Sequence, residues 1–182
     1  MRILTCDPHA EVRGLALLAF VNNLNADEIR PTLERHGIGE VDPDRWYPMQ
    51  NWLNVLNDLS HQDNHSSNLV AVGLAVANQP ILPPELDASA ALHQVLLNWN
   101  NSYQSLHRGA DVGYHHIEKV SETHYRATST ALYPDDFFYG VAYGFARRFL
   151  PPDVDFSVAF DDDTPNLDDG GENTVINIKW GT

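Results

Sequence analysis

The sequence predicts an α+β fold in which N-terminal helices pack on a C-terminal antiparallel sheet of ββαββ order. Three observations carry this reading. Val154, Phe156, Val158 and Phe160 are apolar at every second position, with Asp155, Ser157 and Ala159 between them, and Ile176, Ile178 and Trp180 repeat the pattern around Asn177 and Lys179. Period-two alternation builds a sheet with one buried and one wet face. Residues 1–108 instead show apolar positions three and four apart, the spacing of helices. Between two strand pairs lies one helical segment, Asp135–Leu150, placed to cover the apolar face of the sheet.

Taken in order, Glu11–Leu24 reads as a broadly apolar, buried helix through Val12, Leu15, Leu18 and Ala19 with Leu17, Phe20, Val21 and Leu24 on an adjoining stripe. Asp27–His36 is a short second helix, with Pro31 in its first turns, where proline is tolerated, and Gly37 as its stop. Asp42–Pro48 is a turn with two prolines, and the next helix opens at Pro48 with the stripe Met49, Trp52, Leu53, Leu56 and Leu59. Ser66–Asn78 is another helix, and Gly73 within it implies close backbone approach to a neighbour or ligand. Pro80–Pro84 is a stiff extended link, and Asp87 caps the most periodic helix, which carries Leu92, Val95, Leu96, Trp99, Tyr103 and Leu106. His107 and Arg108 place positive character at its C-terminal end. Gly113–Val120 and His124–Leu132 are the first strand pair, and Val154–Phe160 and Thr174–Trp180 are the second. The acidic connection Asp161–Asn173 is expected to be mobile.

At 182 residues, with 43% hydrophobic and 20% charged content, the chain suits one soluble domain, 1–182, with a helical part over 1–108 and a sheet part over 109–182. Twenty-five acidic residues against 11 Lys plus Arg give a formal charge of −14. That sign repels phosphate backbones and anionic lipid surfaces, so neither nucleic acid nor membrane is an expected partner. No stretch approaches the roughly 20 apolar residues of a membrane span. Cys6 is alone, which rules out an internal disulfide and a cysteine metal cage, and the first residues lack the apolar core of a signal peptide. A cytoplasmic location is expected.

The candidate sites are few. His61 and His65 are four apart but lie in a polar stretch that reads as a loop, while His115 and His116 are adjacent on a strand and point to opposite faces. No metal is expected. Asp161-Asp162-Asp163 and Asp168-Asp169-Gly170-Gly171-Glu172 fail the calcium-loop spacing. Glu118 and Glu122 sit in a strand and its turn, with nothing to suggest a shared cleft. Gly-x-Ser-x-Gly, phosphate-loop and His-Glu-x-x-His motifs are missing, so an enzyme is not the expected reading. More informative are Gly140 and Gly144, four apart on a helix crowded with Phe137, Phe138, Tyr139, Val141, Tyr143, Phe145 and Phe149. Small residues beside large aromatics make either tight packing on the sheet or a slot for an apolar ligand.

Helices followed by strand-strand-helix-strand-strand resemble the ligand-binding superfamily of nitric-oxide signalling and Golgi transport, which includes haem-NO-binding domains, vinyl-reductase-type domains and Golgi transport-tethering subunits. The local resemblance spans about Tyr133 to Trp180. Tyr133-Pro134-Asp135-Asp136-Phe137-Phe138-Tyr139-Gly140 with Gly144 is similar to the aromatic–glycine helix of vinyl-reductase-type domains, and Val154–Phe160, Gly170-Gly171-Glu172-Asn173 and Val175–Trp180 are similar to their closing hairpin. Cysteines common in that hairpin are missing here. Haem-binding members use a Tyr-x-Ser-x-Arg signature with a proximal histidine; in Tyr103-Gln104-Ser105-Leu106-His107-Arg108 the arginine comes one residue late. No haem, and no other cofactor, is expected.

The sequence therefore points to a non-catalytic, sensor-type module holding a small apolar or aromatic molecule between helices and sheet. Its expected lining is Trp99, Tyr103, Tyr114, Phe138, Val141 and Phe145, with His107 or Arg108 orienting a polar end. The alternative is a structural or interaction protein similar to the Golgi transport-tethering subunits, with a filled core and a self-association surface such as a homodimer would use.

Overall fold

The computed structural model describes residues 2–24, 26–60, 65–78 and 88–181. The proline link at 80–84, the Asp87 cap and His61 lie outside these residues. The architecture is α+β, with two antiparallel sheets and six helices among the described residues.

The C-terminal sheet has the expected ββαββ order. β4 (His115–Ser121) and β5 (His124–Ser129) form its first pair, α6 (Asp135–Phe149) follows, and β6 (Phe156–Phe160) and β7 (Thr174–Trp180) close it in the spatial order β4-β5-β7-β6. Val158 faces Ile178 across the last pair, and Tyr125 and Ala127 oppose Ile178 and Ile176 across the middle one. All five are buried, so the alternation read from sequence becomes a continuous apolar face. Trp99 on α5 (Ala88–Ser105) and Phe138, Val141 and Phe145 on α6 belong to the core that rests on it.

A second, smaller sheet escaped the sequence reading. β1 (Glu11–Arg13) lies between β2 (Trp46–Pro48) and β3 (His107–Arg108), with Val12 opposite both Tyr47 and His107. Residues 11–13 were expected to be helical. Their carbonyls and amides instead pair with two distant segments, and α1 (Gly14–Val21) begins only at Gly14. Three-residue strands are too short for a periodicity to show, and pairing across roughly a hundred residues leaves no local signal. For the same reason Trp46–Pro48 is a strand rather than a turn, and His107-Arg108 is a strand rather than a basic helix end.

α2 (Ala26–Arg35) carries Pro31 in its interior rather than its first turns, and it ends at Gly37 in a left-handed conformation of φ 72°. The Ile38 amide returns to the Leu33 carbonyl at 3.0 Å and that of Gly37 to Glu34 at 3.0 Å, satisfying the last turn. α3 (Met49–Ser60) buries Met49, Trp52, Leu53, Val55 and Leu56.

α4 (His65–Val76) decides where α6 sits. A Cβ on Gly140 would lie 2.3 Å from the Val70 carbonyl oxygen, one on Gly73 2.5 Å from that of Phe137, and one on Gly144 2.5 Å from the Ala77 Cβ. The close backbone approach expected at Gly73 is to α6, while Gly140 and Gly144, expected to serve packing on the sheet or a ligand slot, serve the same α4–α6 crossing.

The acidic connection is hydrogen-bonded to the helix and strand beside it. Asp135 and Asp168 exchange bonds, each carboxylate accepting the other's backbone amide at 2.7 and 3.1 Å, and the Thr174 hydroxyl donates to Asp135 at 2.5 Å. A short 3-10 turn, Leu167–Asp169, forms within it.

Candidate functional site

A cavity of about 820 Å³ opens among α1, α5, α6 and the end of the sheet. α5 presents Val95, Trp99 and Tyr103 at four-residue spacing, and α6 presents Phe138, Val141 and Phe145 at spacings of three and four. Ala16, Ala19 and Phe20 of α1 form another wall. His115 and Ser129, register partners at the ends of β4 and β5, contribute with Ala131 and Tyr133. Leu15 and Leu97 line the cavity while 45% and 50% exposed, which places an apolar mouth between α1 and α5. Gln94, Asn98 and Ser102 lie along the exposed face of α5 and also contribute to the lining.

The interior is aromatic. The His115 ring lies near-parallel to Phe138, 3° apart in plane with centroids at 5.2 Å, and Trp99 is tilted at 5.0 Å from both. Phe145 meets Trp99 edge-on at 5.2 Å. Offset and edge-to-face arrangements of this kind are favourable, which holds the walls in place.

The polar groups divide into committed and uncommitted. His107 is buried, and its Nδ1 lies 2.7 Å from the Tyr103 carbonyl, an acceptor, so Nδ1 carries the proton and donates. Nε2 then holds the lone pair, and the Tyr133 hydroxyl donates to it at 3.0 Å. Burial pushes the His107 pKa down to about 4, keeping it neutral, and pushes the tyrosine hydroxyls of Tyr103 and Tyr133 up, keeping both protonated. The Tyr103 hydroxyl donates to the Val112 carbonyl at 2.5 Å. Asp135, its pKa raised by burial, is engaged with Thr174 and Asp168.

His115 is the exception. It is 8% exposed, yet neither ring nitrogen hydrogen-bonds any described residue, and Nδ1 is wholly sealed. Burial, then repulsion from His107, pushes its pKa down to about 3.

Of the residues expected from sequence, Trp99, Tyr103, His107, Phe138, Val141 and Phe145 line the cavity. Arg108 and Tyr114 lie outside the lining. Extended backbone alternates its side chains, so each sits on the opposite side from its cavity-facing neighbour, His107 or His115. Arg108 pairs with Glu11 at 2.6 Å and lies over the Trp46 ring, and Tyr114 is 50% exposed. Phe20, Ser129, Tyr133 and His115 are lining residues that sequence reasoning missed. His115 had been weighed only against its neighbour His116 as a metal pair; the useful signal was the single histidine beginning an inward strand face.

Neither a protein-family model nor a curated protein sequence matches the chain. Solved structures do match its shape. An H-NOX protein from S. oneidensis in the Fe(II)NO ligation state superposes with a TM-score of 0.68 at 11% identity, covering 93% of this chain and 99% of that one. The fold is H-NOX-like. A mutant of T. Tengcongensis H-NOX aligns with a TM-score of 0.65 at 14% identity over 92% and 96% of the two chains. A Cs H-NOX mutant carrying 4-cyano-L-phenylalanine gives 0.63 at 13% over 93% and 97%.

The likeness raises haem, and the donor set here does not fit it. The His107 lone pair is taken by Tyr133, and a metal there would displace that bond. A haem also brings two carboxylates, and among the described residues the cavity lining contains no lysine or arginine, while the one charged residue there is Asp135. Among the described residues no cluster of three or more metal-binding side chains exists. No described helix is long and apolar enough to cross a membrane.

Proposed function

We propose that this protein is a non-catalytic, sensor-type domain that holds a small apolar or aromatic molecule between its helices and its sheet. The observation that carries the reading is the 820 Å³ cavity, walled by Trp99, Tyr103, Phe138, Phe145 and Phe20 and entered past Leu15 and Leu97. A cavity of this size is in the range of small-molecule sites, which are apolar with a few placed polar groups. Apolar burial supplies affinity at about 25 cal/mol per Å² removed from water. His107, Tyr103, Tyr133 and Asp135 are engaged with protein partners rather than arranged as nucleophile, base and oxyanion donors, which supports binding over turnover. The filled-core alternative, similar to Golgi transport-tethering subunits, finds no support in a core with this much open volume.

Native mass spectrometry of the chain as purified, with titration by naphthalene as an uncharged aromatic probe, tests the reading. Saturable quenching of tryptophan fluorescence is expected, and Trp99→Phe removes most of the quenched signal. A chain that carries no co-purified molecule and binds no uncharged aromatic probe sinks the proposal.

A further inference from the structure

The lining divides the cavity into an apolar body and one polar notch, and the notch narrows the class of ligand. His115 and Ser129 face each other across β4 and β5, both buried and both in the lining. Side chains opposite each other on one face of an antiparallel pair lie about 4.5–5.5 Å apart at Cβ. Ser129 Oγ accepts the Ala131 amide at 3.1 Å, and its own hydrogen has no acceptor among the described residues. The His115 imidazole has no partner at either nitrogen, and with Nδ1 sealed it is reached at Nε2. Whatever binds, Nδ1 stays sealed; the two groups a ligand can reach are the His115 Nε2 lone pair and the Ser129 hydroxyl hydrogen, side by side and without a partner among the described residues, and one bound polar group can engage both.

We infer that the cavity takes an uncharged, planar aromatic alcohol, its ring among Trp99, Phe138 and Phe145 and its single hydroxyl between Ser129 and His115. A hydroxyl is the group that fits both neighbours at once: it accepts the Ser129 hydrogen and, with its own proton, donates to a neutral imidazole nitrogen. Charge is excluded on both sides. Among the described residues the lining has no lysine or arginine to meet an anion, and Asp135 is engaged with Thr174 and Asp168 and so is not free to meet a cation. The near-parallel stack of His115 on Phe138 continues the aromatic wall into the notch, so the polar end and the ring share one slot. This inference rests on the apolar-cavity reading above and specifies its ligand.

The test compares naphthalene, naphthol and naphthoate on the full chain by calorimetry. Naphthol is expected to bind about tenfold more tightly than naphthalene, the gain of satisfying buried polar groups, and naphthoate at least about tenfold more weakly than naphthol. His115→Phe is expected to erase the preference, bringing the ratio of naphthol to naphthalene affinity in that variant to about one. If circular dichroism shows that variant unfolded, Ser129→Ala carries the comparison and is expected to reduce the preference. Naphthalene binding with no preference for naphthol, a preference untouched in the folded variants, or naphthoate equal to naphthol overturns the inference and leaves the apolar-cavity reading standing. No binding by any of the three overturns both.

Discussion

Gly140→Ala gives a test whose sign depends on the fold. On an exposed helix, replacing glycine by alanine stabilises by up to about 1 kcal/mol through propensity alone. Here the new Cβ would lie 2.3 Å from the Val70 carbonyl oxygen and 3.0 Å from the Val70 Cα. Both obstacles are backbone, so no side chain can swing away, and α4 and α6 must separate by something on the order of 1 Å. Overpacking of this kind costs about 1–3 kcal/mol, and more where backbone must move. Set against the propensity gain, a net loss of about 2 kcal/mol is expected, or about 4–8 °C in Tm for a chain of this size. Thermal denaturation followed by circular dichroism reads it directly. Gly73 meets the same crossing, its Cβ falling 2.8 Å from the Gly140 Cα, so Gly73→Ala is expected to cost a similar amount and the double variant less than the sum. An unchanged or raised Tm in Gly140→Ala refutes the crossing, and with it the placement of Phe138, Val141 and Phe145 against the cavity.

Three further outcomes follow from the buried polar groups. Tyr133→Phe leaves the His107 Nε2 lone pair without its donor, and urea titration is expected to show a loss of about 1–3 kcal/mol. His107 and His115, depressed by burial to about 4 and about 3 in the folded chain, titrate near 6.5 when unfolded. The unfolded chain therefore binds more protons below that value, so their contribution to stability is full above about 6.5 and is lost as pH falls towards 3. Asp135, raised by burial, acts with the opposite sign and offsets part of this. Urea midpoints across this range should show a shallower acid limb for His115→Gln, and an identical limb would refute burial of the neutral ring. Finally, added haemin is expected to give no stoichiometric complex; a one-to-one complex with a sharpened Soret band would overturn the mismatch argued from the lining.

What was legible in the sequence followed from range. Val158, Ile176 and Ile178 alternate within single strands, so the sheet could be read from neighbours two apart, and Trp99 and Tyr103 share a helical face for the same reason. Gly73, Gly140 and Gly144 announced close approach, but which surfaces approach is a long-range fact, and they proved to be α4 and α6 against each other. The small sheet was hidden because Val12 finds Tyr47 and His107 only in three dimensions. His115 shows the same limit. Its chemistry depends on lacking a partner, and nothing in a residue's sequence neighbourhood records which distant groups fail to reach it.

The cavity stays open because its walls are held from outside it. Apolar walls around open volume gain dispersion contacts by closing, so an unsupported cavity of this size would shrink. Tyr103 is fastened at its hydroxyl to Val112, His107 is fastened at both nitrogens, and the α4–α6 glycine crossing sets α6 by backbone contact rather than by flexible side chains. β1 anchors the chain leading into α1 and the strand leaving α5 to the same small sheet, which fixes the two helices flanking the mouth. The sheet that sequence reasoning missed is therefore part of what makes the site: it ties α1 to the end of α5, more than eighty residues apart in the chain, and so resists collapse of the space between them. Preorganisation of this kind lowers the ordering cost of binding, so loosening β1, for example by Val12→Gly, is expected to weaken naphthalene binding although Val12 is not itself one of the cavity-lining residues.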